Sequence, residues 1–368
     1  MNGAPVRVVV VDDSKLMRSM IQGALEAEGD MTCVGLAKDT VEARQIIKAT
    51  DPDVVTLDVE MPGMNGLEFL EKIMTLRPMP VVMVSSLTQA GADITLAALE
   101  VGAVDAVAKP VGKGAAGRFA TTLRSAVRTA ARARVLRRGQ SGGPSGARGN
   151  AINLRPKAPT ASMPAGGFAT KLIAIGASTG GVAALGDLLE KMPPPLPPIV
   201  ITQHMPPDFT NRFASRLNNL LRLDVAEARN GETLQPNMVR IAPGHQHMTV
   251  EPGGGKLRTV LLDSAPVSGH KPSVDVLFSS VARACRDGAI GAILTGMGKD
   301  GAKGLLEMRR AGAITFGQSA RSCVVYGMPR VACEAGAVKE EHDLSGLAKR
   351  INEIVRRGGA EPRHARLA

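Results

Sequence analysis

No tryptophan occurs in this chain of 368 residues, which also has a single tyrosine and only seven phenylalanines. Proteins that hold single-stranded nucleic acid stack bases on aromatic side chains, so the chain lacks that class's equipment despite a formal net charge of +11. Cysteine is scarce too. The four present (Cys33, Cys285, Cys323 and Cys333) show no CxxC spacing, which argues against a thiolate metal site or a disulfide framework. Cys33 and Cys285 sit in apolar segments and read as free, buried thiols of a reducing compartment. No apolar run approaches the roughly 18 residues of a membrane span, so no membrane insertion is expected. The opening "MNGAPVRVVVVDD" has too short an apolar run for a secretory signal and closes on two acids, so the expected location is cytoplasmic.

Acidic residues are missing from one long window. Residues 106–186 hold thirteen of the 45 Lys and Arg and none of the 34 Asp and Glu. Outside the window 32 basic residues face 34 acidic ones. The basicity therefore belongs to one helix and a linker, and the plain reading is a solvated helix face with no nucleic-acid partner.

What is present is an alternation of strand and helix, without internal repeats, cut once by a Gly-, Pro- and Ser-rich stretch. That stretch, 137–168, reads as a flexible basic tether, separating a first domain at 5–136 from a second at 169–357. In the first, "VRVVVV", "MTCVGLA", "VVTLDVEM", "PVVMVSS" and "AVDAVAK" read as strands. Ser14 caps a helix whose apolar stripe includes Leu16, Met20, Ala24 and Leu25. Continuous β-branched runs alternating with helices predict a doubly wound, five-stranded parallel sheet. The second domain reads as α/β with a mainly parallel sheet built from "KLIAIGA", "PIVITQHM", "MVRIAPG", "LRTVLLD", "GAIGAILTGM" and "AITFG". An antiparallel pair is expected around 238–262.

In a parallel sheet, sites gather at the carboxyl ends of the strands. Asp12 and Asp13 end the first strand, Asp58 the third, Ser85 the fourth and Lys109 the fifth. Clustered carboxylates repel unless a hard cation joins them, and oxygen ligands suit Mg²⁺. A metal beside a carboxylate can orient a phosphoryl donor, while a hydroxyl and an ammonium hold the new phosphate oxygens. Residues 5–130 resemble the receiver domain of two-component response regulators. The resemblance implies Asp58 as phosphoacceptor, Asp12 and Asp13 beside it as acids of the Mg²⁺ site, and Ser85 and Lys109 as sensors of the phosphorylated state. Many receivers place an aromatic switch residue three positions before the lysine; here that residue is Ala106.

The second domain opens with "KLIAIGASTGG", residues 171–181. A serine among glycines after a strand is compatible with a nucleophile elbow, a phosphate cradle or a tight turn. No lysine follows the glycines, so the P-loop pattern is not met. A serine hydroxyl needs a base, and the base a carboxylate. Of six histidines, His204 in "VITQHMPPDF" ends a buried strand on the rim where Ser178 falls, and Asp300 in "ILTGMGKDG" has the same placement. His245 and His247, two apart, could share a strand face and hold a metal. His270 reads as a turn residue before a helix cap, and His342 and His364 as solvated. Asp275 and Asp287 have more solvated, helix-like surroundings.

The stretches "IGASTGG", "QHMP", "HKPSVDVLF", "LTGMGKDG" and "CVVYGMP" resemble the motifs of the chemotaxis protein-glutamate methylesterase/glutaminase family. "LDVEMPGMNGLEFLEKIM" and "MVSSLT" are likewise similar to that family's receivers. The resemblance implies Ser178 as nucleophile, His204 as general acid/base and Asp300 as its orienting carboxylate. It implies that Thr179 and Met297 line the site, with backbone N–H groups near the oxyanion. It further implies a phosphorylation-activated hydrolase with chemoreceptors as substrates, a chemotaxis histidine kinase as phosphodonor, and no cofactor for the esterase reaction. Where relatives often carry an acid before "SCVV", this chain has Arg321. Three alternatives keep distinct predictions: a non-catalytic receptor-binding adaptor, a DNA-binding regulator with a compact helix-turn-helix output, and a metal hydrolase.

Overall fold

The computed structural model describes residues 4–86, 88–112, 114–135, 168 and 170–356. The chain divides into two compact units, Met1–Arg148 and Gly149–Ala368. The stretch read as a tether lies, apart from Phe168, outside the described residues, and so does His364.

In the first unit, strands β1 (Val6–Val11), β2 (Met31–Ala37), β3 (Val54–Asp58), β4 (Val81–Ser85) and β5 (Asp105–Ala108) alternate with helices α1 (Lys15–Glu26), α2 (Thr40–Thr50), α3 (Gly66–Leu76), α4 (Gln89–Val101) and α5 (Ala115–Ala130). All strand pairs are parallel, in the order β2-β1-β3-β4-β5. Strands covered on both faces tolerate no polar alternation, and Val8 through Val11 are accordingly buried. Ser14 caps α1, its side chain accepting from the Met17 N–H. The buried residues of α1 are Ile21 and Leu25, whereas Leu16, placed on the apolar stripe from sequence, is 74% exposed. The basic face of α5 is also less solvated than expected. Arg124 pairs with Glu28 at 2.9 Å, and Arg128 with Asp30 at 2.6 Å and with Glu28.

The second unit carries β6 (Leu172–Ala177), β7 (Ile199–Gln203), β8 (Asp224–Glu227), β9 (Met238–Ile241), the hairpin β10 (His247–Gly253) and β11 (Lys256–Leu262), then β12 (Ala289–Ile293), β13 (Ile314–Gln318) and β14 (Glu340–His342). Its helices are α6 (Gly181–Glu190), α7 (Pro207–Leu220), α8 (Val274–Cys285), α9 (Ala302–Arg310), α10 (Met328–Glu334) and α11 (Leu344–Arg356). Seven strands form a parallel sheet in the order β14-β13-β12-β6-β7-β9-β8, and β10 and β11 form a separate antiparallel ribbon. The antiparallel pair is thus confined to 247–262, because 238–241 joins the parallel sheet. Edge strands β8 ("DVAE") and β14 ("EEH") are short and polar, so hydrophobic periodicity did not signal them.

On one side of β6 the chain passes to β7, then to the edge strand β8 and back to β9 between them; on the other side it runs outward from β12 through β13 to β14. The crevice between the carboxyl ends of β6 and β12 is the topological switch point, where such sheets bind ligands. Helix α8 closes on it tightly because residue 176 is glycine. A Cβ there would stand 2.2 Å from Val274 Cγ1.

Candidate active sites

In the first unit, the strand-end acids meet as expected. Asp12, Asp13 and Asp58 each offer one oxygen, all within 4.8 Å of one another. The Lys109 ammonium lies 2.7 Å from Asp58 Oδ2 and 2.9 Å from Asp12 Oδ2. Apart from that ion pair, the buried Asp12 Oδ2 has no hydrogen-bond partner among the described residues. A buried carboxylate oxygen met only by Lys109, beside two further carboxylates, belongs to the donor set a hard divalent cation takes. Burial pushes Asp58 up to about 6, against the pull of Lys109 and with the added repulsion of Asp12. Ser85 is buried at the adjoining strand end, but its hydroxyl is turned to the Ser86 and Gly91 carbonyls, at 3.0 and 3.4 Å, rather than to Asp58.

In the second unit, Ser178 leaves β6 into a turn that Gly180 completes at a φ of 77°. The Ser178 N–H donates to the Thr295 carbonyl, and the Ser178 carbonyl accepts from Gly181 N–H at 2.7 Å. The strand and helix thereby set the serine side chain on the rim. His204 follows β7, the neighbouring strand, and its N–H donates to the Ala177 carbonyl. Its ring meets Ser178 Oγ through Nδ1 at 3.2 Å and Asp300 Oδ2 through Nε2 at 2.8 Å. An ionised carboxylate only accepts, so Nε2 carries the proton and Nδ1 presents its lone pair to the hydroxyl.

Asp300 is 1% exposed and held by four donors. Oδ1 accepts from Ser273 Oγ at 2.8 Å and from Asp275 N–H at 3.0 Å; Oδ2 accepts from Val274 N–H at 2.7 Å and from His204. Burial alone would raise its pKa, but the His204, Val274, Asp275 and Ser273 bonds outweigh it and hold the carboxyl below its usual range. Three of these donors come from the start of α8, the "HKPSVDVLF" stretch.

That stretch carries residues whose parts were not read from sequence. His270 is not a plain turn residue: its ring stacks on His204 with centroids 3.8 Å apart and planes 6° from parallel. His247 is fully buried, its Nδ1 accepting from Ser273 N–H at 3.0 Å and its Nε2 donating to the Ala265 carbonyl at 3.1 Å. His245 is exposed in the preceding turn, so the two histidines share no face and form no metal pair. Asp275 is buried, accepting from Gly304 N–H, so it is not solvated as expected. His342 pairs with Glu340 at 3.0 Å in β14 and is only half exposed. Gln203 donates from Nε2 to the carbonyls of both Ser178 and His204, at 2.9 and 3.0 Å. The Thr179 carbonyl accepts from Thr295 Oγ1 at 3.0 Å, and Met297 is 40% exposed. Arg321 pairs with Asp343 on the surface at 3.1 Å. All four cysteines are free, and burial pushes the Cys285 thiol up to about 11.

Both units have counterparts among known proteins. Residues 173–351 match the family model described as CheB methylesterase, and residues 8–116 that of the response regulator receiver domain. Protein-glutamate methylesterase/protein-glutamine glutaminase 1 of Caulobacter vibrioides is 52% identical over 356 residues, covering 96% of this chain and 98% of that one. The protein of the same name, without the number, from Rhizobium etli is 50% identical over 360 residues, covering 97% and 99%. The crystal structure of the Thermotoga maritima CheB methylesterase catalytic domain is 35% identical, with a TM-score of 0.49, over 50% of this chain and 98% of that one. A receiver unit and a methylesterase unit in one chain, aligned with such relatives almost end to end, place it in the protein-glutamate methylesterase/protein-glutamine glutaminase family.

Proposed function

We propose that the chain hydrolyses γ-glutamyl methyl esters on chemotaxis receptors, releasing methanol, and deamidates receptor glutamines. The observation that carries this reading is the continuous relay from Ser178 Oγ through the His204 ring to the buried Asp300. Nδ1 takes the hydroxyl proton as Oγ attacks the ester carbon. Backbone N–H groups of the site that Thr179 and Met297 line would receive the oxyanion. The imidazolium then protonates the departing methoxide, and a γ-glutamyl ester of Ser178 remains. Water, deprotonated by the same Nδ1, attacks that ester, and the proton returns to Oγ as glutamate leaves. For an amide the leaving group is ammonia. Asp300 stays ionised throughout, as its lowered pKa supports. The esterase step calls for no cofactor.

The receiver domain, 5–136, would take a phosphoryl group at Asp58 from the chemotaxis kinase. Asp12, Asp13 and Asp58 would hold Mg²⁺, which neutralises charge on the transferring group. Lys109 already sits where it can hold a phosphate oxygen; Ser85 must rotate away from its present carbonyls to join it. The 137–168 stretch would tether the receiver to the catalytic domain, 169–357. None of the helices, among the described residues, is long and apolar enough to cross a membrane, and a cytoplasmic location fits the reading. The test is methanol release from methylated receptor membranes, with and without a phosphodonor. Release that survives Ser178→Ala overturns it, and receptor binding without any release favours the adaptor.

A further inference from the structure

From the stacked pair, we infer that His270 is a positioning residue for the reaction proposed above: its ring fixes the tilt of His204 and, by staying uncharged, lets His204 carry the proton. Two hydrogen bonds, to Ser178 and to Asp300, pin His204 in the plane of its ring. Both bonds lie in the ring plane, so a tilt of the ring about the axis between its two partners is only weakly restrained by them. A flat neighbour against the ring face removes this freedom, and His270 lies 3.8 Å away and 6° from parallel.

The chain holds His270 there by a tight device. The Val267 and His270 backbones exchange two hydrogen bonds, of 2.9 and 3.0 Å, around Ser268 and Gly269. Both central residues have positive φ, 54° and 82°, as a type I′ hairpin demands. Residues 263–269 are exposed, so no packed core dictates this loop. The buried His247 anchors it through the Ala265 carbonyl, and the loop delivers the His270 ring. The ionisable groups acting on His270 are His204 and Asp300; burial first, then His204, lowers its pKa, with Asp300 opposing. Adjacent Lys271 is paired with Asp263 at 2.8 Å. A neutral His270 therefore faces the imidazolium that forms during attack, where a second cation would oppose it.

The test uses the full chain with Mg²⁺ and a small phosphodonor, and reads the labelling of Ser178 by a fluorophosphonate through intact mass. In that step Oγ bonds to phosphorus, fluoride leaves, and His204 takes the hydroxyl proton, so no receptor is involved. His270→Phe, flat and neutral, should label within about threefold of wild type; His270→Ala should be slower by roughly tenfold or more. His270→Arg, flat but charged, should be slower than Phe, with its acid limb moved to lower pH because the cation disfavours protonated His204. Thermal unfolding of each variant checks that the fold is kept. Labelling of the Ala variant at the wild-type rate, or a Phe variant as slow as Ala, overturns the inference. A wild-type chain that takes no label at Ser178 overturns the serine reading itself, and this one with it.

Discussion

Nδ1 of His204 lies 3.2 Å from Oγ of Ser178, while the ring's other nitrogen is engaged by Asp300. The tautomer that Asp300 selects is therefore the one that leaves a lone pair on the serine side. Groups that act as a unit do not lose activity additively. Ser178→Ala and His204→Ala should each cut methanol release by about 10⁵-fold or more, and the double variant should be little worse. A double variant slower by the product of the two losses would show that they act independently.

Asp300→Asn should retain more activity than either, losing roughly 10⁴-fold, because Asp300 orients rather than reacts. It should also lower stability. Four donors converge on the two oxygens, and an amide nitrogen would point N–H groups at N–H or O–H groups. The cost is about 1–3 kcal/mol for the first unsatisfied partner, read from the urea midpoint of the catalytic unit. With a lowered pKa, the ionised carboxyl contributes its stability above the usual value of 3.8 and loses it as pH falls through its lower folded value. The variant's deficit should therefore persist at pH 7 and narrow only in strong acid.

Asp58→Asn should abolish labelling by a small phosphodonor in Mg²⁺, since Asp58 ends the central strand β3, with Asp12, Asp13 and Lys109 around it. Without metal the same change should stabilise the receiver at pH 8. A folded pKa raised from 3.8 to about 6 favours the neutral form, so its contribution is complete below 3.8 and lost as pH rises through 6. Asn mimics the neutral form, and the gain should be roughly 1–3 kcal/mol at pH 8 and near zero at pH 4. Urea unfolding in chelator at the two pH values checks it.

His245→Ala should leave activity and stability close to wild type, because the side chain is exposed in a turn. His247→Ala should cost roughly 2 kcal/mol or more, stranding the Ser273 N–H and the Ala265 carbonyl. Because Ser273 also donates to Asp300, a fall in methanol release should accompany it. A chelator should leave the activity of residues 168–368 unchanged. Inhibition there would point to a metal hydrolase.

Residues 168–368 alone should hydrolyse receptor esters faster than the unphosphorylated full chain. If 137–168 acts as the flexible tether proposed, it would keep the receiver at high local concentration, and restraining the esterase would need only a small free energy. Phosphorylation adds nearly two negative charges and need shift that balance by only a few kcal/mol. Phosphodonor should activate the full chain and leave the shorter one unchanged. Equal resting activities would favour improved receptor docking instead.

Ala106 stands where many receivers place an aromatic, and that substitution was plain in the sequence because it needs only a count from Lys109. The same holds for most strands of both sheets. A run such as "VRVVVV" is apolar because it is covered on both faces, and that cover follows from local alternation with helices. The glycines at 176 and 180 mark the turn that lifts Ser178, and parallel strands place Ser178, His204 and Asp300 on one rim without further information. What sequence could not settle is every relation that needs side chains from distant segments in the same space. The ring nitrogen facing Ser178, the four donors around Asp300, the burial of His247 and the stacking of His270 on His204 each join residues 18 to 96 positions apart. Short polar edges such as "EEH" were invisible because their pairing with β13 depends on hydrogen bonds, which any sequence can make, rather than on an apolar face. Local pattern thus determined the layers and the rim; the closure of α8 and its loop onto that rim decided the chemistry of the histidine.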